Sequence, residues 1–204
     1  MEQLLREGLP GVGIPADEEL VAAFARFLRL LTEWNAKFNL TGIREPAAMV
    51  SLHILDSLTA RPFIEGERIV DVGCGAGLPV IPLALTERGK HFTLVDSTGK
   101  KIRFVQQAIT ELTLTNAEAL QTRIEDHKPV PLYDTVICRA LASLADFVRF
   151  AGHAVAPGGQ LLAMKGREPA DELKALPAGW RATVSRVQIP GVDAERHIVQ
   201  LVRK

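Results

Sequence analysis

The residues best suited to bind a small ligand lie in the stretch IVDVGCGAGLPVIPLAL, residues 69–85. The pattern predicts a strand that carries Asp71, a turn with Gly73, Gly75 and Gly77, and then a helix. Glycine permits positive φ and lets a ligand approach the backbone closely, and a helix begins with free N–H groups. The sequence therefore predicts a ligand site here, with a tight turn made only for packing as the alternative.

A second carboxylate supports the ligand site. The run FTLVD ends in Asp96, 19 residues after Gly77, and an acid at the tip of the second strand suits the two hydroxyls of an adenosine ribose. The dinucleotide fingerprint G-x-G-x-x-G requires a third glycine where this chain has Leu78. The spacing G-x-G-x-G is thus less suited to a pyrophosphate.

Charged residues follow the later strands as well. They include Arg123–Glu125, Cys138–Arg139 and Lys165–Gly166. Ligands in doubly wound sheets bind outside the carboxyl ends of the strands, so we expect these residues to share one cleft with the glycine turn and Asp96. Three of the five strand ends carry a cation, which suits a phosphate-bearing substrate. The chain as a whole has no net charge, with 24 basic and 24 acidic residues.

The elements that position these residues follow from the hydrophobic pattern. Short β-rich runs alternate with helical runs, which predicts an α/β, Rossmann-like, doubly wound and mostly parallel seven-stranded sheet. The last two runs, ATVSRVQIP and ERHIVQLVRK, predict an antiparallel hairpin that closes the sheet. Ahead of the sheet, residues 1–65 predict a helical extension packed on a core domain of residues 66–204. Its long helix is capped by Asp17, and Pro46 opens a second one.

Composition excludes several classes of protein. Cys74 and Cys138 stand far apart and outside any CxxC motif, which fits a reducing cytosol and predicts no disulfide framework or metal site. We see no signal peptide and no uncharged run long enough to span a membrane. We therefore expect a cytoplasmic monomer without a metal.

Longer motifs add a family resemblance. The glycine turn, the ribose carboxylate and the PGG at residues 157–159 resemble class I S-adenosylmethionine-dependent methyltransferases. The chain resembles the glucose-inhibited division protein B family, the small-subunit ribosomal RNA methyltransferases G, which make 7-methylguanosine in 16S rRNA. The likeness extends from about Glu33 to Lys204 and is carried by the stretches WNAKFNLTGIREPAAMVSLHILDSL, VDVGCGAGLPVIPLAL, FTLVDSTGKKIRFVQQ and VICRALASL. One departure is Cys74, where the family usually has threonine or serine.

The resemblance implies a set of site residues. S-adenosylmethionine, with S-adenosylhomocysteine as product, is expected to contact Asp71, Gly73, Gly75, Gly77, Leu78, Asp96, Ile124, Glu125 and Arg139. The expected catalytic residues are Arg139, Lys165 and His53, although a lone histidine on an amphipathic helix also fits a structural role. The expected RNA contacts are Lys100, Arg123 and Lys165. Lys100 is favoured over Lys101 and Arg103, which also fit a solvated helix face, and Arg196 and His197 are assigned to structure.

The strand ends also limit the chemistry. Enzymes that methylate an exocyclic amine commonly carry an N/D-P-P-Y/F motif after the fourth strand, and this chain has none there. Cytosine-C5 enzymes use an activated cysteine, but Cys138 is not preceded by the proline or threonine found in such sites. Guanine N7 needs neither device, because its in-plane lone pair attacks a methyl group without losing a proton. Catalysis is then a matter of alignment, with Arg139 or Lys165 on guanine O6 or on a phosphate.

The expected partner is 16S rRNA, as naked RNA or in the assembling small subunit. Because side chains cannot read the deep major groove of A-form RNA, the target guanine is expected in a loop or in unpacked rRNA. Two other functions stay open at this point. A nicotinamide-dependent oxidoreductase shares the strand–turn–acid pattern but lacks the third glycine. A non-catalytic adenosyl-binding protein would not need Arg123, Arg139 and Lys165 around the ligand.

Overall fold

A computed structural model describes residues 1–140 and 142–204 of the chain. Seven strands form one sheet in the order β3-β2-β1-β4-β5-β7-β6. The strands are β1 (Arg68–Val72), β2 (His91–Asp96), β3 (Ala117–Gln121), β4 (Tyr133–Arg139), β5 (Val155–Lys165), β6 (Trp180–Val187) and β7 (Arg196–Arg203). The first five are parallel, and β7 runs antiparallel between β5 and β6. The predicted fold class is confirmed, including the closing hairpin.

Helices precede the sheet and connect its strands. The α-helices are α1 (Glu2–Gly8), α2 (Glu18–Phe38), α3 (Pro46–Met49), α4 (Asp56–Leu58), α5 (Val80–Thr86), α6 (Gly99–Glu111), α7 (Leu144–Ala151) and α8 (Ala170–Lys174). Short 3₁₀ turns cover Leu9–Val12, Arg61–Phe63 and Gly152–Ala154, and a π-helix covers Val50–Leu55. The Asp17 carboxylate caps α2 by accepting a hydrogen bond from the Leu20 N–H at 2.8 Å.

The two faces of the sheet are covered by different helices. Along β1, Ile69 belongs to the apolar cluster with α2, α5 and α6, whereas Val70 belongs to the cluster with α7. The same alternation places Leu94 on the first face and Val95 on the second. This alternation follows from the two-residue period of a strand, and it makes the sheet doubly wound.

The helices ahead of β1 belong to the first of these clusters. Phe24, Phe27 and Leu28 of α2 are fully buried there. The predicted boundary at residue 65 falls in the turn before β1, where the Asp134 carboxylate accepts hydrogen bonds from the N–H groups of Glu67 and Arg68. The division of the chain into two units stays a prediction. Among the described residues, no helix combines the length and apolarity needed to cross a membrane.

Two elements differ from the pattern-based expectation. The predicted amphipathic helix around His53 is a π-helix over Val50–Leu55, so its turn holds more residues than an α-helical turn. The run GQLLAMKG predicts a fifth strand that follows the PGG, whereas β5 begins at Val155, ahead of the PGG, and its ladder to β4 has an irregularity between Tyr133 and Thr135. A π-turn and a ladder irregularity leave no periodic signal in the sequence.

Candidate active site at the carboxyl edge of the sheet

The carboxyl edge of the sheet holds two cavities, whereas the sequence predicted one cleft. The first, here the glycine-turn cavity, has a volume of about 300 Å³ and is lined mainly by Gly73, Asp96, Lys101, Arg123, Ile124 and Glu125. The second, the arginine cavity, has a volume of about 460 Å³ and is lined mainly by Thr41, His53, Asp56, Arg139, Lys165 and Arg196. The carboxyl ends of β1, β2 and β3 contribute to the first cavity. The carboxyl ends of β4 and β5 and the first residues of the antiparallel strand β7 contribute to the second.

The glycine turn is held by its own hydrogen bonds. Gly73, Gly75 and Gly77 have φ values of 68°, 57° and 73°. The N–H groups of Gly73 and Cys74 donate to the carbonyl of Val95, at 2.8 and 3.0 Å. The N–H groups of Gly77 and Leu78 donate to the carbonyl of Cys74.

This bonding bears on the oxidoreductase alternative. A phosphate-binding turn presents free N–H groups to the anion. In this turn the N–H groups just described are all engaged, and the N–H of Gly75 donates to Asp96. Five N–H groups of the turn are therefore unavailable to an anion, which disfavours a dinucleotide pyrophosphate.

Asp96 is tied to the turn and to α6. One carboxylate oxygen accepts hydrogen bonds from the N–H of Gly75 at 3.1 Å and from Lys101 Nζ at 3.3 Å, and the other accepts the N–H of Thr98 at 2.8 Å. Burial acts to raise the pKa of Asp96, but the bonds from Thr98, the Lys101 charge and the Gly75 N–H outweigh it, so the pKa lies below its ordinary value. Asp96 is thus an ionised acceptor that faces the glycine-turn cavity.

Asp71 has a different environment. It is 1% exposed, and neither carboxylate oxygen makes a hydrogen bond. Burial raises the pKa of Asp71 well above its ordinary value, while the Arg139 charge opposes that rise. The N–H of Val80 at the start of α5 faces the carboxyl group and also lowers its pKa, without reaching hydrogen-bond geometry. A buried acid without partners is costly to ionise.

The arginine cavity is organised around Asp56. Its Oδ2 lies 3.2 Å from Arg139 Nη1, and its Oδ1 lies 3.0 Å from Arg196 Nε. Arg139 Nη1 also donates to the carbonyl of Leu52 at 3.2 Å. One carboxylate at the start of α4 therefore contacts guanidinium groups from β4 and β7.

His53 is neutral in this setting. Burial, followed by the charge of Arg139, lowers its pKa from 6.5 to about 4. Its Nδ1 lies 3.2 Å from the carbonyl of Leu52, and its Nε2 lies 3.0 Å from Thr41 Oγ1. A carbonyl only accepts, so we assign the ring proton to Nδ1, and the Thr41 hydroxyl then donates to Nε2. His53 holds the segment around Thr41 against the π-helix.

Lys165 is also paired. Its Nζ lies 2.8 and 3.1 Å from the two carboxylate oxygens of Glu172 and 2.7 Å from the carbonyl of Ala142. The same Glu172 carboxylate accepts the N–H of Leu144 at 2.7 Å. Lys165 thus ties the end of β5 to α8 and to the start of α7.

Neither cysteine has the properties of a nucleophile, and the described residues form no metal site. Burial, followed by the charge of Asp71, raises the pKa values of the Cys74 and Cys138 thiols well above their ordinary range. A thiol that stays protonated is a poor nucleophile. Within residues 1–140 and 142–204, no group of three or more His, Cys, Asp or Glu side chains could hold a metal ion.

The structure distributes the predicted site residues over both cavities. Gly73, Asp96, Arg123, Ile124 and Glu125 line the glycine-turn cavity, and His53, Arg139 and Lys165 line the arginine cavity. Asp71, Gly75, Gly77 and Leu78 line neither and shape the turn. Lys100 also lines neither, and its Nζ donates to the carbonyl of Phe38 at 3.1 Å.

Sequence reasoning missed three charged residues of the two cavities. Lys101 contacts Asp96, and Asp56 and Arg196 pair in the arginine cavity. A signal existed for Asp56, because it follows His53 by three residues and so shares its helix face. Arg196 was assigned to structure, since nothing in the sequence pairs the start of β7 with Asp56.

Comparisons with known proteins identify the family. The family model described as rRNA small subunit methyltransferase G (GidB) matches residues 20–199, which is most of the chain. The chain belongs to this family. A ribosomal RNA small subunit methyltransferase G from Nitrosococcus oceani is 47% identical over 98% of this chain and 94% of its own length. One from Methylococcus capsulatus is 44% identical over 97% of both chains.

Solved structures agree with methyltransferase G membership at the level of the fold. A magnesium protoporphyrin IX methyltransferase from Synechocystis PCC 6803 with bound SAM superimposes with a TM-score of 0.60 at 14% identity, over 87% of this chain and 97% of the other. M. jannaschii TYW2 in complex with AdoMet gives a TM-score of 0.55 at 17% identity, over 73% and 77% of the chains. At such low identity these likenesses establish the fold alone.

Proposed function

We propose that this protein transfers a methyl group from S-adenosylmethionine to N7 of a guanine in 16S rRNA of the small ribosomal subunit. The observation that carries the proposal is the pair of cavities on one edge of the sheet in a chain of the methyltransferase G family. In this proposal the glycine-turn cavity takes the adenosyl group, and the cations of the arginine cavity bind an RNA nucleotide.

The glycine-turn cavity carries a hydrogen-bond acceptor suited to the ribose of S-adenosylmethionine. Asp96 is an ionised acceptor at the tip of β2, where the ribose hydroxyls of an adenosyl ligand donate. Ile124 and Glu125 face the same cavity from beyond β3 and would flank the adenine. A Cβ built on Gly75 meets only the carbonyl of Gly73, at 3.8 Å, so the turn leaves open space for a ligand. The volumes of both cavities fall near the range of ordinary ligand sites, about 300–1,000 Å³.

The arginine cavity is suited to the acceptor. It brings together Arg139, Arg196 and Lys165, with Asp56 and Glu172 as counter-charges. The pairing leaves an excess of positive charge, which favours a phosphate or the O6 atom of guanine. Arg139 is 22% exposed, so its guanidinium reaches the cavity while it contacts Asp56. Lys165 would have to exchange Glu172 for RNA to make a contact of its own.

The chemistry requires alignment and no proton transfer. Bound S-adenosylmethionine supplies an electrophilic methyl group on a sulfonium. Guanine N7 carries a free lone pair, so no base has to remove a proton. His53 agrees with this requirement, because its Nε2 accepts from Thr41 and its low pKa makes it a weak base. Arg139 then acts by orienting the base or its phosphate.

A methyl-transfer assay tests the proposal. Radiolabelled S-adenosylmethionine is incubated with the protein and small-subunit rRNA, both naked and as 30S particles, from cells that lack this protein. We expect label in 7-methylguanosine after digestion to nucleosides. Label in another nucleoside would refute the N7 assignment, and binding of S-adenosylmethionine without any label would favour the non-catalytic binding protein.

A matched pair of arginine variants tests the role of Arg139 in the same assay. Arg139→Ala is expected to reduce transfer by about 10²-fold, the loss that follows a misplaced reactant. Arg149→Ala is the control, because Arg149 is 74% exposed on α7 and pairs with Asp146 only three residues away. Equal transfer by the Arg139→Ala variant and the wild type would remove Arg139 from the mechanism.

A further inference from the structure

Within residues 1–140 and 142–204, the carboxylate of Asp56 is the single acidic contact that Arg139 and Arg196 share. Asp56 belongs to the segment ahead of the sheet, Arg139 ends β4, and Arg196 begins β7. The two ion pairs join residues that are 83 and 140 positions apart in the chain. Asp56 is 7% exposed, whereas Arg139 and Arg196 are 22% and 26% exposed. The acid is therefore the more buried member of each pair, and the two guanidinium groups are the more exposed part of the cavity wall.

The contacts use only some of the donors of each arginine. A guanidinium has five N–H groups in a fixed planar arrangement. Arg139 uses Nη1 for both Asp56 and the Leu52 carbonyl, and among the described residues Nη2 and Nε have no other partner. Arg196 uses Nε for Asp56 and Nη1 for the Glu195 carbonyl, which leaves Nη2 without a partner in the same part of the chain. Because the guanidinium plane is rigid, fixing one edge also fixes the direction of the free edge.

We propose that Asp56 is a positioning residue that holds Arg139, and with it Arg196, in the orientation in which their free N–H groups bind the target nucleotide. This proposal rests on the proposed function and deepens it, because it makes Arg196 a second contact for a phosphate or for guanine O6. In this role Asp56 contacts the arginines and is not itself a ligand of the nucleotide. Its effect reaches the reaction through the two arginines.

Charge gives Asp56 a second effect. Arg139 and Arg196 bind opposite oxygens of one carboxylate, so their like charges lie close together. Without the carboxylate, the two guanidinium groups repel each other and must separate or turn towards water. The cavity would then be more positive but less ordered. RNA binding should therefore survive the loss of Asp56, while alignment of the target base should not.

The test is a steady-state comparison of Asp56→Asn with the wild type at saturating S-adenosylmethionine. Asparagine keeps the shape of aspartate and removes its charge. We expect kcat to fall about 10²-fold, as for a misaligned reactant, with KM for the RNA changed by less than about threefold. Glu87→Gln is the control, because the Glu87–Arg61 pair is also partly buried but lies outside both cavities. An unchanged kcat for Asp56→Asn in a folded protein would overturn the proposal.

A double-mutant cycle separates positioning from a merely structural role. Arg139→Lys keeps the charge but replaces the planar guanidinium by an ammonium, which has no second edge to present to RNA. If Asp56 acts by orienting the two arginines, adding Asp56→Asn to Arg139→Lys should lower kcat by a smaller factor than Asp56→Asn does in the wild type, since the Arg139 edge is already absent and only Arg196 remains to be released. Independent, multiplicative losses would contradict the proposal. If Asp56→Asn does not fold, Asp56→Glu takes its place, because it retains the charge and changes only its reach.

A crystal structure of the Asp56→Asn variant tests the positioning role independently of the proposed function. We expect Arg139 Nη1 to leave the Leu52 carbonyl, from which it lies 3.2 Å away in the wild type. An unmoved Arg139 would overturn the positioning role, whatever the substrate is. A wild-type protein that methylates no rRNA would refute the proposed function alone.

Discussion

Replacing Gly75 and Gly77 by alanine should separate the stability of the glycine turn from its ability to bind a ligand. Both glycines have positive φ, 57° and 73°, which costs an L-residue about 1–2 kcal/mol. A Cβ on Gly77 would also lie 2.5 Å from Cγ1 of Ile81, a side chain with no exposed surface. Overpacking of this kind adds about 1–3 kcal/mol. A Cβ on Gly75 meets nothing closer than 3.8 Å.

The expected loss of unfolding free energy is thus about 3.5 kcal/mol for Gly77→Ala and about 1.5 kcal/mol for Gly75→Ala. In a chain of this length these losses lower Tm by about 10 °C and about 5 °C, which calorimetry without cofactor resolves. Gly75→Ala should instead weaken S-adenosylmethionine binding about tenfold or more, because its methyl group occupies the open side of the turn. Equal Tm shifts for the two variants, or unchanged affinity for Gly75→Ala, would refute this reasoning.

Three further predictions concern single side chains. The pKa of His53 is about 4 in the folded protein, against an ordinary value of 6.5, so between these pH values the unfolded chain binds a proton that the folded chain does not. Urea unfolding should therefore show a His53 contribution of roughly 3 kcal/mol to the fall in unfolding free energy between pH 7 and pH 4, and this contribution should be absent in His53→Gln. Lys100→Ala should make the negative slope of log rRNA affinity against log salt shallower by about 0.7 and leave S-adenosylmethionine affinity unchanged. The same slope in the variant and the wild type would mean that Lys100 contacts no phosphate. Asp71→Asn should be as stable as the wild type or about 1 kcal/mol more stable at pH 8. The raised pKa of Asp71 makes the wild type lose stability as the pH rises above the ordinary pKa of an aspartate. A variant that unfolds at clearly lower urea concentration would show that the carboxylate has a partner.

The features that sequence reasoning predicted well depend on local chain geometry. A parallel strand places the residue at its tip on the edge of the sheet, so Gly73 and Asp96 reach one cavity as expected. Their positions depend only on where two short apolar runs end. The mostly parallel sheet follows in the same way from the alternation of runs, and the closing hairpin follows from the two strand-like runs at the end of the chain.

The features that sequence reasoning missed depend on the phase of a helix and on contacts between residues far apart in the chain. Lys101 and not Lys100 contacts Asp96, because α6 begins at Gly99 and the phase of a helix depends on its first residue. The contact between Asp56 and Arg196 requires that β7 enter the sheet between β5 and β6 with one register. A single sequence carries no signal for a contact across 140 residues.

The two cavities differ in how much of the chain must be in place before each one exists. Apart from Phe150, the residues that line the glycine-turn cavity fall within 72–125, whereas those of the arginine cavity range from 41 to 198. Contacts between distant positions form slowly in folding, because long loops must close first. The arginine cavity is therefore the later of the two to assemble and the earlier to be lost when the β5–β7 contact opens. We therefore expect a partly folded molecule to retain the glycine-turn cavity after it has lost the arginine cavity.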